Sequence, residues 1–244
     1  MNDDIILRTD KLTQRFGGLV ANSEISIEVR RGEILGLIGP NGAGKSTLFN
    51  AIAGMRRPTS GSIIFEGQDI TALTAPQRCE LGIGRTFQVP RSFDSMNVFE
   101  NVIVGALVRS SNAAAARRAA LEVLDYVGLG RRAELEARLL TPPEKRRLEV
   151  ARALATKPKL LLLDEVLTGL TPHEARQGVE LIRQVRQDGV TIVMVEHVME
   201  IVMPLVDRAI VLHLGKKLAV GMPAEIVRNE EVITAYLGER HRAA

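Results

Sequence analysis

The 244-residue chain is expected to be an α/β protein, with a mostly parallel sheet, an antiparallel side sheet near the N-terminus and an inserted α-helical lobe. Three observations predict this. Short β-branched runs alternate with helical patterns: Glu33 to Ile38 before a helix from Lys45, Lys159 to Leu163 before a helix from Pro172, and Thr191 to Val195 before another helix. That rhythm is the mark of βαβ units. The segments Ile5 to Leu12, Ser23 to Val29 and Gly61 to Phe65 read instead as antiparallel strands, with turns at Arg31-Gly32 and Glu66-Gly67. Between about Pro90 and Lys157 the strand pattern gives way to helical stretches.

Taken in order, the runs give an N-terminal side sheet, then the first buried strand at Ile34 to Ile38 and its helix. The lobe follows. It includes the alanine-rich Asn112 to Val127, which Gly128 and Gly130 end. After the run ending at Val195 comes a hairpin-like pair, Ala209 to Leu214 and Lys217 to Val220, around Gly215, and then a short helical tail. The expected division is a single domain over 1–244, with a core at 1–89 and 158–244 and a helical subdomain at 90–157.

With 45% hydrophobic and 25% charged residues, a chain of this length can bury one substantial core. Its 32 basic and 29 acidic residues are interspersed, without the single-sign block of a nucleic-acid arm, and no nucleic-acid partner is expected. The lone Cys79 excludes an internal disulfide, fits a reducing compartment, and reads as a small buried hydrophobe. The acidic start Met1-Asn2-Asp3-Asp4 lacks the basic-then-apolar order of a secretory signal. The most apolar stretch, Thr191 to Val206, contains Glu196, His197 and Glu200 and is shorter than the ~20 apolar residues of a spanning helix. Any membrane contact therefore goes through a partner.

Gly39-Pro40-Asn41-Gly42-Ala43-Gly44-Lys45-Ser46 has P-loop spacing and lies between a strand and a helix, which makes the core that of a P-loop NTPase. The glycines let the backbone curl around the β- and γ-phosphates of ATP, and the helix N-terminus adds partial positive charge. Gly39, Asn41, Gly42, Ala43, Gly44, Lys45, Ser46 and Thr47 are the expected nucleotide contacts. Lys45 adds a full charge, the Ser46 hydroxyl is placed for Mg²⁺, and Thr47 reaches the α-phosphate. Further on, Leu160 to Leu163 lead into Asp164-Glu165, two carboxylates at the C-terminal edge of a buried strand. Alone, this is also an ordinary strand end. Paired with the loop, it reads as a Walker B motif: Asp164 holds Mg²⁺ through water, and Glu165 polarises the attacking water as general base.

These motifs, in this order, resemble the ATP-binding cassette family over nearly the whole chain. The resemblance implies further roles. Gln88, in Gly84-Arg85-Thr86-Phe87-Gln88, matches the glutamine that senses the γ-phosphate and Mg²⁺ and relays to a transmembrane partner. His197, in Val195-Glu196-His197, matches the switch histidine. Phe16, in Arg15-Phe16-Gly17, matches the aromatic that stacks on adenine. By itself each also fits a plainer role: a solvated strand end for Gln88, a satisfied strand-end histidine for His197, core for Phe16. The closer resemblance is to the ATPase subunits of branched-chain amino acid importers, through Arg15-Phe16-Gly17-Gly18-Leu19, Arg85-Thr86-Phe87-Gln88 and Ala235-Tyr236-Leu237-Gly238-Glu239. A lipopolysaccharide-export-type ATPase, which ends similarly, and a cassette not tied to transport are the alternatives. The implied partners are integral membrane permease subunits, a second ATPase subunit and, indirectly, a periplasmic or extracellular solute-binding protein. The implied location is peripheral, on the cytoplasmic face of the plasma (inner) membrane.

One stretch departs from the family. Where a Leu-Ser-Gly-Gly-Gln signature should grip the γ-phosphate of the opposing subunit's ATP, this chain has Leu140-Thr141-Pro142-Pro143-Glu144. Two prolines remove two backbone donors, and Glu144 adds negative charge. The same residues make a good capping box, with Thr141 as N-cap and Pro142 at the first helical position. Val166 and Thr171 also depart from the usual Pro and Asp or Asn around the following loop. The expected consequence is an asymmetric pair, a heterodimer rather than a homodimer, in which this chain's phosphate loop meets an intact signature from a different subunit.

Overall fold

The computed structural model describes residues 4–240, and the side chains of residues 4–236. The acidic start Met1-Asn2-Asp3 lies outside the described residues, as do the side chains of Leu237, Gly238 and Glu239 in the family-like ending. The chain opens with β1 (Ile5–Phe16) and β2 (Leu19–Arg30), a long antiparallel hairpin, followed by β3 (Ile34–Ile38) and α1 (Lys45–Ile52). Next come β4 (Ser60–Phe65), β5 (Gln68–Asp69), α2 (Ala75–Leu81) and β6 (Ile83–Arg85). The lobe contributes α3 (Val98–Ala106), α4 (Ala113–Tyr126), two 3-10 turns and α5 (Pro142–Ala155). The core then resumes with β7 (Leu160–Asp164), α6 (Pro172–Gln187), β8 (Thr191–Val195), α7 (Met199–Val202), the hairpin β9 (Arg208–His213) and β10 (Lys216–Gly221), α8 (Pro223–Ile226) and α9 (Glu230–Arg240).

Two sheets result, with strand orders β2-β1-β4-β5 and β10-β9-β3-β8-β7-β6. The first is antiparallel, and the second is parallel except for the β9–β10 hairpin. Apolar runs at β3, β7, β8 and β9 are continuous because both faces of these strands are covered. Leu35, Leu37, Leu160, Leu162, Val193, Val195, Ile210 and Leu212 pack under the antiparallel sheet with Phe49 of α1. Ile34, Ile38, Leu161, Leu163, Ile192, Met194, Ala209 and Val211 pack on the other face with Ile182 and Val185 of α6. The two-residue period of a strand divides each run between the layers. The lobe has a third cluster, built from α3, α4 and α5 around Val102, Leu124 and Leu148.

Three expectations are corrected. The first strand runs to Phe16 instead of stopping at Leu12: Lys11, at φ 45°, shifts the register between Thr9 and Leu12, and pairing resumes beyond it. Both α2 and β6 belong to the core and were not anticipated. Cys79 is half-buried, while its neighbour Arg78 is fully buried. The Arg78 guanidinium donates to the carbonyls of Ala51 (2.6 Å), Ile52 (2.7 Å), Leu73 (3.1 Å) and Thr71 (3.2 Å), and so closes the C-terminal end of α1. Burial pushes its pKa down to about 10, which leaves it charged at neutrality. Among the described residues no helix is long and apolar enough to cross a membrane.

Candidate active site

Because β3, β8, β7 and β6 are neighbours and parallel, their C-terminal ends bring four separate stretches of sequence to one edge. This edge is where open α/β sheets bind ligands. It carries the Gly39–Thr47 loop after β3, Glu196 and His197 after β8, Asp164 and Glu165 at the end of β7, and Thr86 to Gln88 after β6.

The loop is shaped by backbone that only glycine adopts easily. Gly39 (φ 146°) passes so close to the Leu212 carbonyl that a Cβ there would collide with it, and Gly44 (φ 97°) lies equally tight against Ala21 and Asn22. The fully buried Asn22 donates to the Gly44 carbonyl (3.1 Å), and the Gly215 N–H of the β9–β10 turn donates to that of Ala43 (3.1 Å). The loop is thereby fixed from two sides. The space beside Gly42 is open, and the N–H groups of Gly42, Gly44, Ser46 and Thr47 donate no hydrogen bond among the described residues. A ring of unused donors at a helix start fits a phosphate chain. Lys45 is buried, and its Nζ donates to the carbonyls of Gly39 (2.6 Å) and Pro40 (2.8 Å).

Opposite the loop, Asp164 is 4% exposed. Its N–H donates to Thr86 Oγ1 (3.0 Å), its Oδ2 is 3.3 Å from Arg85, and its Oδ1 is buried without a hydrogen-bond partner. Burial pushes its pKa up, and Arg85 opposes that rise. An orphaned buried carboxylate oxygen fits a metal-bound water, and Asp164, Ser46 and Gln88 are the oxygen donors whose chemistry suits Mg²⁺. Arg85 also donates to Asn50 Oδ1 (2.7 Å) and lies over the rings of Phe49 and Phe87.

Glu165 sits in the left-handed region at φ 50°. Its N–H donates to the Val195 carbonyl (2.9 Å), and its own carbonyl accepts from Arg146 of α5 (2.5 Å). Its Oε2 accepts from Gln88 Nε2 (2.8 Å) and lies 3.7 Å from His197 Nδ1. Three predicted residues from three strand ends thus meet at one carboxylate oxygen. Glu196, 1% exposed, accepts from the Leu167 N–H (2.7 Å) and the Thr168 hydroxyl (3.1 Å), and burial pushes its pKa up. It pins the loop that follows Glu165. Phe16 is 40% exposed at the end of β1, with the Arg56 guanidinium 4.8 Å over its ring. One face of the ring therefore already holds a cation.

Four residues of this site were not anticipated: Arg85 as the partner of Asp164, Thr86, Arg146 and Glu196. Only Glu196 carried a usable signal, as a carboxylate directly after the apolar run Ile192 to Val195. The start of α5 is the capping box that the sequence predicts, with Thr141 N–H and Oγ1 both 2.9 Å from Glu144 Oε2. The negative charge expected there is compensated, since Arg132 Nε donates to Glu144 Oε1 at 2.9 Å.

Known proteins similar to this chain are ATP-binding cassettes. The ABC transporter family pattern matches residues 22–168, and that of the branched-chain amino acid ATP-binding cassette transporter matches residues 216–242. The chain is 41% identical over 250 aligned positions to the high-affinity branched-chain amino acid transport ATP-binding protein LivG of Salmonella typhimurium, covering 96% of this chain and 98% of that protein. It is 33% identical to the lipopolysaccharide export system ATP-binding protein LptB of Acidithiobacillus ferridurans, covering 96% and 98% of the two chains. Among solved structures it is similar to the ADP conformation of MJ1267, an ATP-binding cassette of an ABC transporter, with a TM-score of 0.87, 29% identity, and 96% and 99% of the two chains covered.

Proposed function

The chain belongs to the ABC transporter ATP-binding family, and from that premise we propose that it is the ATPase subunit of an importer for branched-chain amino acids or similar small solutes. It binds ATP and couples its hydrolysis to transport through membrane permease subunits. The observation that carries the site assignment is the meeting of Gln88 and His197 at Glu165 Oε2, across from the Gly39–Thr47 loop.

Our reading of the residues is as follows. Phe16 stacks on adenine. Gly39, Asn41, Gly42, Ala43, Gly44, Ser46 and Thr47 supply backbone and hydroxyl donors, and Lys45 exchanges its two loop carbonyls for phosphate oxygens. Asp164, Ser46 and Gln88 would hold Mg²⁺, which would supply neutralisation of the phosphate charge. Once Gln88 withdraws its amide, Glu165 Oε2 is released to take a proton from the attacking water. His197, 47% exposed beside it, orients that water and contacts the γ-phosphate. Positioning and electrostatics carry the catalysis, with no covalent intermediate.

In this account residues 1–89 and 158–244 form the nucleotide-binding core, and residues 90–157 are the lobe that docks on the permease. The subunit sits on the cytoplasmic face of the plasma (inner) membrane, beside a second ATPase subunit, and is served by a solute-binding protein. The similarity to the branched-chain cassette pattern at residues 216–242 favours this over a lipopolysaccharide-export role. In proteoliposomes holding the assembled complex, ATPase activity should rise and labelled leucine accumulate when ATP and the loaded binding protein are both present. ATPase activity that ignores leucine, isoleucine and valine would refute the solute assignment.

A further inference from the structure

The start of α5 has almost no donors left for a ligand. Pro142 and Pro143 have no N–H, and Thr141 directs both its N–H and its hydroxyl to Glu144 Oε2. Two of the nearby cations are also engaged: Arg146 donates to the Glu165 carbonyl, and Arg147 to Gln177 of α6. Lys145 is half-buried. Arg132 differs. It comes from the 3-10 turn Gly130–Arg132 and pairs with Glu144 through Nε alone, and its side chain is 54% exposed. Its two Nη groups make no hydrogen bond among the described residues. An ion pair this exposed contributes little to stability, so holding the fold does not explain the arrangement.

We propose that Arg132 supplies, across the subunit interface, the contact to the terminal phosphate that the proline-bearing helix start cannot make. The inference rests on the face-to-face pairing of cassettes in the proposed function. Glu144 is the aligning partner: by holding Nε it aims the outer edge of a planar guanidinium, whose two terminal nitrogens match a phosphate in bidentate fashion. The pair also replaces the net negative charge expected of Glu144 with a neutral unit that presents donors outward. The ligand is the γ-phosphate of a nucleoside triphosphate held by the facing subunit's loop.

The test uses the transporter complex purified from membranes with its own second cassette, loaded with 8-azido-ATP on ice, where the triphosphate is held without turnover, and photolabelled. The labelled peptide reports which subunit's loop held the nucleotide. Arg132→Ala should lower labelling of the loop facing α5 by about 10-fold or more, the loss expected for a hydrogen bond to a charged group. Arg132→Lys should restore part of it. The Arg132→Ala chain alone should bind a fluorescent ATP analogue as the parent does. Glu144→Gln separates this from a structural role, since it keeps the helix cap and frees Arg132. Labelling that falls in part with Glu144→Gln, which leaves the guanidinium present but unaligned, and falls further with Arg132→Ala supports the inference. Equal labelling in all forms, or equal loss in both variants, overturns it. No labelling in the parent complex overturns the pairing itself, and the inference with it.

Discussion

Glu165 combines a left-handed backbone with a carboxylate shared between Gln88 and His197, and its position is over-determined by bonds to Val195 and Arg146. Strain of this kind persists where surrounding contacts fix it, and here the carboxylate is held between Gln88 and His197. Next to it, Glu196 holds the following loop at an electrostatic cost. Its pKa is raised above the ordinary 4.5 chiefly by burial, so its ionised form is disfavoured in the fold. The stability that goes with the raised pKa is fully present below 4.5 and is lost as pH rises through the folded value. Glu196→Gln keeps an acceptor for Leu167 and avoids the buried charge. It should raise the melting temperature at pH 7.5, by about 2–4 °C for each kcal/mol relieved, with the gap closing toward pH 4.5. Thermal melts at the two pH values check this, and a lower midpoint at pH 7.5 would contradict it.

At the scale of elements, α1 is anchored at both ends, by the glycine loop at its start and by Arg78 at its finish. Arg78→Ala would leave several buried carbonyls unpaired. The expected loss is about 3 kcal/mol, or roughly 6–12 °C in melting temperature for a domain of this size, with Arg78→Lys recovering only part. Calorimetry checks it, and an unchanged midpoint would show that water replaces the guanidinium. Arg78 also shows where sequence reading reaches its limit. Leu160 to Asp164 announce a buried strand through composition alone, and Gly39 to Thr47 announce their ligand through spacing. An arginine in the helix Ala75–Leu81 carries no mark that its partners are carbonyls 26 and 27 residues earlier. The three-residue β6 was equally hidden, since so short an edge strand has no periodicity to read. The pairing of Arg85 with Asp164, 79 residues apart, exists only because β6 lies beside β7. Gln88, His197 and Phe16 were placed through family resemblance, and their meeting or exposure became visible only in three dimensions.

At the scale of the molecule, the phosphate loop forms one side of a site whose other side is open in a single chain. In the proposed pairing with a different ATPase subunit, the poor donor supply at Thr141 to Glu144 would make the two composite sites unequal. The site built on this chain's Lys45, Asp164 and Glu165 is the one expected to hydrolyse efficiently, provided that the facing signature is intact, and Arg132 serves the other chiefly by holding nucleotide. General-base removal typically costs a factor of about 10²–10⁴, which is large enough to tell the two sites apart. The most direct measurement is ATP turnover by the reconstituted pair with Glu165→Gln in this chain, compared with the equivalent change in its partner. The account predicts that Glu165→Gln here abolishes turnover while the partner's change leaves most of it. Turnover that survives Glu165→Gln here and disappears with the partner's change would contradict the account.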